Sequence, residues 1–535
     1  MSHILRDFHL PGRSPVIAEN GMVATSHPIS SAAGLDVLKR GGNAVDAAIA
    51  AVAVQGVVEP QSTGIGGDSF ALLVKGGQGP VIGLNGSGRS PHAASLDNVL
   101  AALGDGVHEV PRVSPHAVTI PGAVDAWCRL LDEHGTWGID RVLQYAIDYA
   151  EHGFAVLPRV RFDWLNHLHV INQTPAGRAM LSRDGQAPQV GERWAFPAMA
   201  TTLREIAAKG RRGFYDGWVM EDMLGTLNAM GGLHKDQDFA DCSADWVEPI
   251  ISDYRGYSLN EIPPNGQGLV ALMMLKMLEK LPVGSGPICA ERLHYQAEAA
   301  HLCYADRDAF IAEGMEGQIP HMLSEARAQV GLDIIRADST MAPLKAPRPI
   351  KGGDTVTLSV VDKDRNAISL ISSIFSSFGS TITAPKAGVW LHNRGTSFQL
   401  DASHPNAYGP AKRPMHTIIP AMLMKDGKAQ MAFGVMGADY QPQGQAQVLT
   451  AMLDHGLDIQ QAIDLPRIYA DAASGIVQAE PTLPLETMTA LARKNHKMQI
   501  TKEPRGGAQG VWIDHKNGML WGGSDPRKDG CAMGY

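Results

Sequence analysis

Between Lys351 and Ser380 the chain reads KGGDTVTLSVVDKDRNAISLISSIFSSFGS, and its hydroxyls stand at a spacing that could support acyl transfer. Thr355, Thr357 and Ser359 alternate with Val356, Leu358 and Val360, the period of a strand with one hydroxyl face and one apolar face. Asp362 to Asn366 is turn chemistry, and Ala367 to Ile374 reads as the returning strand. A loop centred on Asp364 sets residue 373 opposite residue 355, so Thr355 and Ser373 would meet across the hairpin. A hydroxyl is a poor nucleophile until a base takes its proton. By spacing alone, an ordinary hairpin with solvated hydroxyls fits as well.

The pattern G-D-T-V-T-L-S-V-V-D-K-D-x-N-A-I-S-L, followed by S-S-F-G-S, resembles the start of the small subunit in the gamma-glutamyltransferase family of N-terminal-nucleophile hydrolases. The resemblance implies a precursor that cuts itself between Asp354 and Thr355. The freed Thr355 would be nucleophile and, through its α-amine, general base. An α-amine has a pKa of roughly 7.7–8.0 and needs little tuning for that task. An amide nitrogen cannot do it, so the uncut chain should be inactive. Other family landmarks follow in order: G-G-N-A-V-D-A-A from Gly41, P-Q-x-x-G-x-G-G from Pro60, Val118–Val124, Pro263–Gly268, Tyr304–Arg307, Phe433–Asp439 and Ser524–Arg527.

The resemblance implies an α+β, four-layer αββα fold, with residues 1–354 as large subunit and 355–535 as small subunit of one domain. These two fragments of one precursor would be each other's partners, and the pair could assemble again as a dimer. It implies no cofactor and no metal. Gly437 and Ala438 match the pair whose backbone N–H groups form the oxyanion hole, while Thr357 and Ser373 would orient the nucleophile.

The acyl pocket departs from the family pattern. Its arginine, Arg89 in Asn85-Gly86-Ser87-Gly88-Arg89, is displaced by about two positions; Phe375 stands where the family has asparagine, and Ser397 where it has an acid. His416-Thr417, after Met415, replace its serine pair. A pocket that loses polar partners for an amino-acid head group should bind that group less well. Arg89, Arg394 and Arg413 still favour an acyl group bearing a carboxylate. The expected substrate is therefore a gamma-glutamyl or similar small carboxylated amide, released to water or an acceptor amine. Oxamate-type amidohydrolase and cephalosporin or glutaryl acylase activities are alternatives. A non-maturing, non-catalytic binding protein is the alternative of another class.

The elements that must hold these residues are legible in outline. Gly21–His27 reads as a buried strand, Ser30–Arg40 as a helix stopped at Gly41-Gly42, and Asn43 as the cap of a second helix with Ala44, Ala47, Ala48 and Ala51 on a close-packing face. Ser69–Val74 and the stretch from Val81 read as strands, and residues 125–210 as mainly helical. His294, Glu298 and His301 share a helix face at i, i+4 and i+7; a metal site is conceivable there, but a further ligand cluster is missing. Residues 313–354 read as an exposed linker before the cut.

Composition bounds the rest. The 535 residues are 44% apolar and 19% charged, as in a compact enzyme. A net charge of −9 without a run of Lys or Arg makes nucleic acid and anionic membrane poor partners. The apolar run Ala44–Val58 is too short to span a bilayer and contains Asp46 and Gln55. Five scattered cysteines without C-x-x-C, and an N-terminus without an apolar leader core, lead to the expectation of a cytoplasmic protein.

Overall fold

The alternation that gives the 355–361 segment two unlike faces also decides how the layers stack. The structure, a computed structural model, describes residues 12–341 and 355–535. Val356–Val361 and Ala367–Ser373 form the expected hairpin, with Val356 opposite Ser372 and Val361 opposite Ala367. This hairpin lies at the centre of a seven-stranded antiparallel sheet, with Met22–Thr25 on one flank and Asp68–Val74 on the other. A second seven-stranded antiparallel sheet is centred on Pro420–Lys425, Lys428–Met436 and Gly507–Asp514. In both sheets, strands that precede residue 342 interleave with strands that follow residue 354.

Three apolar layers result. Val356, Leu358 and Val360 point outward to a helical layer that includes Ala44–Val58 and Ala123–His134. Ile371, Met22 and Leu72 meet Met422, Ala432 and Val511 between the sheets. Leu423, Met431 and Phe433 face a second helical layer built from Gly268–Leu278, Ala290–Phe310 and Gln441–His455. The order is helix, sheet, sheet, helix: the four-layer α+β arrangement expected.

The helix Ala44–Val58 is buried on every side. Its alanines let it lie flat on the hairpin sheet. Asn43 caps it by accepting from the Val45 and Asp46 amides, and the Asp46 carboxylate in turn accepts from the Asn43 N–H.

One expectation needs correction. Residues 313–341 are not an open linker: they form helices Ile319–Met322 and Glu325–Ile334, with Met322, Ala328 and Met341 buried. The apolar spacing of Met322, Ala328 and Gly331 is hidden among Pro, Gly and charge, and their burial against the second helical layer overrides local composition. Residues 342–354, Asp354 among them, lie outside the described residues.

Candidate active site

Thr355 stands just ahead of the central strand, and the hairpin register sets it opposite Ser373. Its Oγ1 donates to Ser373 Oγ at 3.2 Å, and that oxygen also accepts from the Phe375 amide at 2.9 Å. Thr357 lies two residues on, on the same face. Its Oγ1 is buried and has no hydrogen-bond partner among the described residues. The hydroxyl face looks across to the second sheet: Ser369 Oγ donates to the Phe433 carbonyl at 2.8 Å, and Thr357 packs on Gly434. A Cβ on Gly434 would collide with Thr357 Oγ1, so small residues on both sheets let the layers close up here.

Behind the hairpin is a buried charge cluster. Asp68 pairs with Ser373 in the neighbouring strand, and its Oδ1 accepts from the Gly88 and Gly122 amides. Its Oδ2 accepts from His416 Nε2 at 3.1 Å and lies 3.4 Å from His392 Nδ1. Burial opposes the Asp68 charge, but His392 and His416 outweigh it and hold the carboxyl well below its usual range. Burial, and then the nearby Arg394, push His416 down to about 3. The Gly67 turn must approach closely: a Cβ there would run into the Ser373 carbonyl oxygen.

The three arginines differ sharply. Arg89 is half-exposed, pairs with Glu313, donates to the Ala411 carbonyl, and lines a small separate cleft with His92 and Asp238. Arg413 is saturated by the Ser87 and Ser243 carbonyls and the Asp245 carboxylate. Arg394 is wholly buried; one of its nitrogens donates to Thr417 Oγ1 at 2.9 Å, while Nε and Nη2 have no partner among the described residues. Its guanidinium lies 4.1 Å from the centre of the Phe375 ring. Burial pulls its pKa down to about 9, with Asp68 working the other way.

Phe375, Ser397 and Met415 come together in the wall of a cleft of about 490 Å³, near Arg307 and Asn406. A polar cleft of about 310 Å³ adjoins it through the shared Arg112 and Ser376 and reaches Gly437. Phe375 is held at φ 74°, a conformation costly for a bulky side chain, which sets its ring between Arg394 and the larger cleft. His416 does not line either cleft; it belongs to the Asp68 cluster.

Gly437 and Ala438 follow the end of the Lys428–Met436 strand with φ of 118° and 46°, a sharp turn into the helix Gln441–His455. The turn is braced from the large N-terminal part of the chain. Gln267 Nε2 donates to the Ala438 carbonyl at 2.9 Å and to that of Thr417 at 2.8 Å. Arg307 donates to Asp439 at 2.6 Å, and Tyr304 OH donates to the Asp439 carbonyl. Burial works against the Arg307 charge, but Asp439 more than offsets it and holds its pKa above the usual value. Two consecutive backbone N–H groups fixed in such a turn suit a developing negative charge.

Asp68, His392 and Gln267 are site residues that the sequence motifs do not single out. Asp68 directly follows the Gly66-Gly67 pair, and a charge next to a turn that tight is the signal available for it. Gln267 lies inside the Pro263–Gly268 landmark, which attaches no role to it, and His392 carries no spacing signal.

Comparison with known proteins agrees with this geometry. The family described as Gamma-glutamyltranspeptidase matches residues 30–535. A glutathione hydrolase-like YwrD proenzyme of Bacillus subtilis is 36% identical, over 97% of this chain and 99% of that one. An oxamate amidohydrolase proenzyme of Klebsiella pneumoniae is 32% identical, over 97% and 99%. The crystal structure of a cephalosporin acylase from Bacillus halodurans superposes with a TM-score of 0.91 at 38% identity, covering 100% of this chain and 99% of that one.

Proposed function

The chain belongs to the gamma-glutamyltranspeptidase family of N-terminal-nucleophile amide hydrolases and transferases, and from that premise we propose that it cleaves the amide of a small acyl group ending in a carboxylate. The observation that carries this reading is Arg394: a buried guanidinium with two N–H-bearing nitrogens unpartnered among the described residues, lining neither cleft itself but stacked behind the Phe375 ring that lines the larger one. A carboxylate is the ligand that satisfies a planar fork of donors. Arg89 and Arg413 already have carboxylate and carbonyl partners.

The reaction starts with self-cleavage ahead of Thr355, consistent with relatives named as proenzymes. Thr355 Oγ1 then attacks the acyl carbon while its α-amine takes the hydroxyl proton. The oxyanion forms against the Gly437 and Ala438 N–H groups, and one such donor is worth roughly 2.7–4 kcal/mol. Collapse breaks the C–N bond, and the α-ammonium returns its proton to the leaving amine. Water, or an acceptor amine, then attacks the Thr355 ester with the α-amine again as base. Ser373, whose Oγ accepts from Thr355 Oγ1, and Thr357, whose hydroxyl has no partner among the described residues, would orient the nucleophile and its amine.

Phe375 and Ser397 offer no charge for an α-ammonium, so a glutaryl- or oxamate-type acyl group is preferred over gamma-glutamyl. The test is direct. Purified protein on a denaturing gel should show fragments in the proportion 1–354 to 355–535, and Thr355→Ala should leave one chain. Glutaryl-p-nitroanilide or oxamate should be turned over faster than gamma-glutamyl-p-nitroanilide. A higher kcat/KM for the gamma-glutamyl compound would reverse the assignment of the acyl group.

A further inference from the structure

The second helical layer holds a cluster that the reaction does not use. His294 and Glu298 lie one turn apart on the helix Ala290–Phe310. The third member is not His301, as helix spacing alone implies. It is His496, which lies between the helix Leu485–Arg493 and the strand Lys497–Ile500. One ligand atom from each of the three residues falls within 4.8 Å of the others, and all three side chains are buried.

The protons on these groups can be assigned from their partners. His294 Nε2 faces the Arg336 carbonyl at 2.6 Å and must carry hydrogen, which leaves the Nδ1 lone pair directed at His496 Nε2, 2.7 Å away. A ring N–H donated to a backbone carbonyl is the outer support that fixes a metal-binding histidine. Glu298 Oε2 accepts from the Met341 amide at 2.7 Å, while Oε1 is buried and unpartnered among the described residues. In the His294–His496 pair the hydrogen of the 2.7 Å contact is therefore on His496 Nε2, and a shift of that proton to Nδ1 frees the Nε2 lone pair beside that of His294.

We propose that His294, Glu298 and His496 form a binding site for a divalent transition cation of the zinc class. Two imidazoles and one carboxylate are a zinc-type donor set. With nitrogen ligands at roughly 2.0–2.1 Å, a tetrahedral ion sets them roughly 3.3 Å apart. The two histidines therefore separate slightly, the Nε2 proton of His496 moves to its Nδ1, and both exchange their mutual hydrogen bond for the ion. The cation supplies the charge that Glu298 Oε1 lacks.

The site also has a place in the architecture. Two ligands precede residue 342 and the third follows residue 354, while Arg336 and Met341, which support the ligands, are in the last described stretch before the expected cut. Bound metal would join the two fragments away from the nucleophile. That consequence rests on the proposed cleavage; the metal site itself does not.

The experiment treats the full protein with chelator, removes the chelator, and adds Zn2+ or Co2+. Metal per chain is read after gel filtration, and Co2+ is followed by the visible band of its four-coordinate state. One ion per chain and a raised Tm are expected. Glu298→Gln and His496→Asn, each with unchanged circular dichroism, should weaken binding by more than the roughly 10–100-fold typical of losing an outer support. Binding unaffected by both substitutions, or no ion retained, overturns the site. Thr355→Ala should bind the ion as tightly as the cleaved protein, which separates this result from any failure of self-cleavage. In cleaved protein the ion should raise the urea concentration at which the fragments part; no such rise would overturn the bridging role.

Discussion

The Arg394 guanidinium rests 4.1 Å from the centre of the Phe375 ring, and that ring stands between it and the larger cleft. Arginine stacked on an aromatic face keeps its edge donors available for a planar anion. If Arg394 binds the substrate carboxylate, Arg394→Met should lower kcat/KM for glutaryl-p-nitroanilide roughly 10–100-fold, the loss of one charged hydrogen-bonded contact. Steady-state kinetics at fixed pH checks it.

Phe375→Asn restores a polar group where an amino-acid head would lie. The ratio of gamma-glutamyl to glutaryl turnover should rise about tenfold or more, by the worth of one satisfied polar contact. An unchanged ratio would remove Phe375 from the specificity argument.

Gly434→Ala places a methyl where the Thr357 hydroxyl is. Overpacking of this kind costs about 1–3 kcal/mol. Urea unfolding of the Thr355→Ala background, kept as one chain, should show that loss. Thr357→Ala in the same molecule should restore part of it, because the nearest remaining atom, the Thr357 Cβ, is 3.2 Å away.

Gln267 holds the Ala438 carbonyl without touching either cleft. Gln267→Glu cannot donate to two carbonyls, so the Gly437–Ala438 turn loosens. If the Gly437 and Ala438 N–H groups hold the oxyanion as proposed, a fall in kcat of about tenfold or more with little change in KM is expected, because such donors act in the transition state. Equal losses in kcat and KM would point elsewhere.

His27 caps the helix Pro28–Lys39 through Nδ1, and its Nε2 is buried without a partner among the described residues. Burial pulls its pKa from 6.5 to about 3. The unfolded chain therefore binds a proton that the folded one refuses. The contribution is full above pH 6.5 and is lost as pH falls toward 3, at about 1.4 kcal/mol per pH unit across that window. His27→Asn keeps a capping side chain and should flatten the acid limb of a stability–pH curve.

The hairpin could be read from sequence because its two periods and its turn agree: alternation fixed the faces, and a loop centred on Asp364 fixed the register that brings Thr355 to Ser373. Asn43 as a cap was legible for the same local reason. The buried cluster was not. Asp68, His392 and His416 come from three separated segments, and their common environment exists only once the sheets have packed. The roles of the arginines were hidden likewise: Arg89, Arg394 and Arg413 are alike as letters and differ only in which carboxylates folding brings to them. His496 replaced His301 beside Glu298 because a helix face predicts neighbours along the chain and says nothing of what packs across it.

The interleaved strands have a consequence for the lifetime of the enzyme. If the bond ahead of Thr355 is broken as proposed, the hairpin that follows it remains zipped on both flanks to strands of the other fragment. Neither fragment alone can complete either sheet, and its exposed ladder edges would invite aggregation. Folding is thus a task for the precursor only. Heat or denaturant that separates the mature pair should inactivate it for good, so the working protein persists by the slowness of its opening rather than by return from the unfolded state.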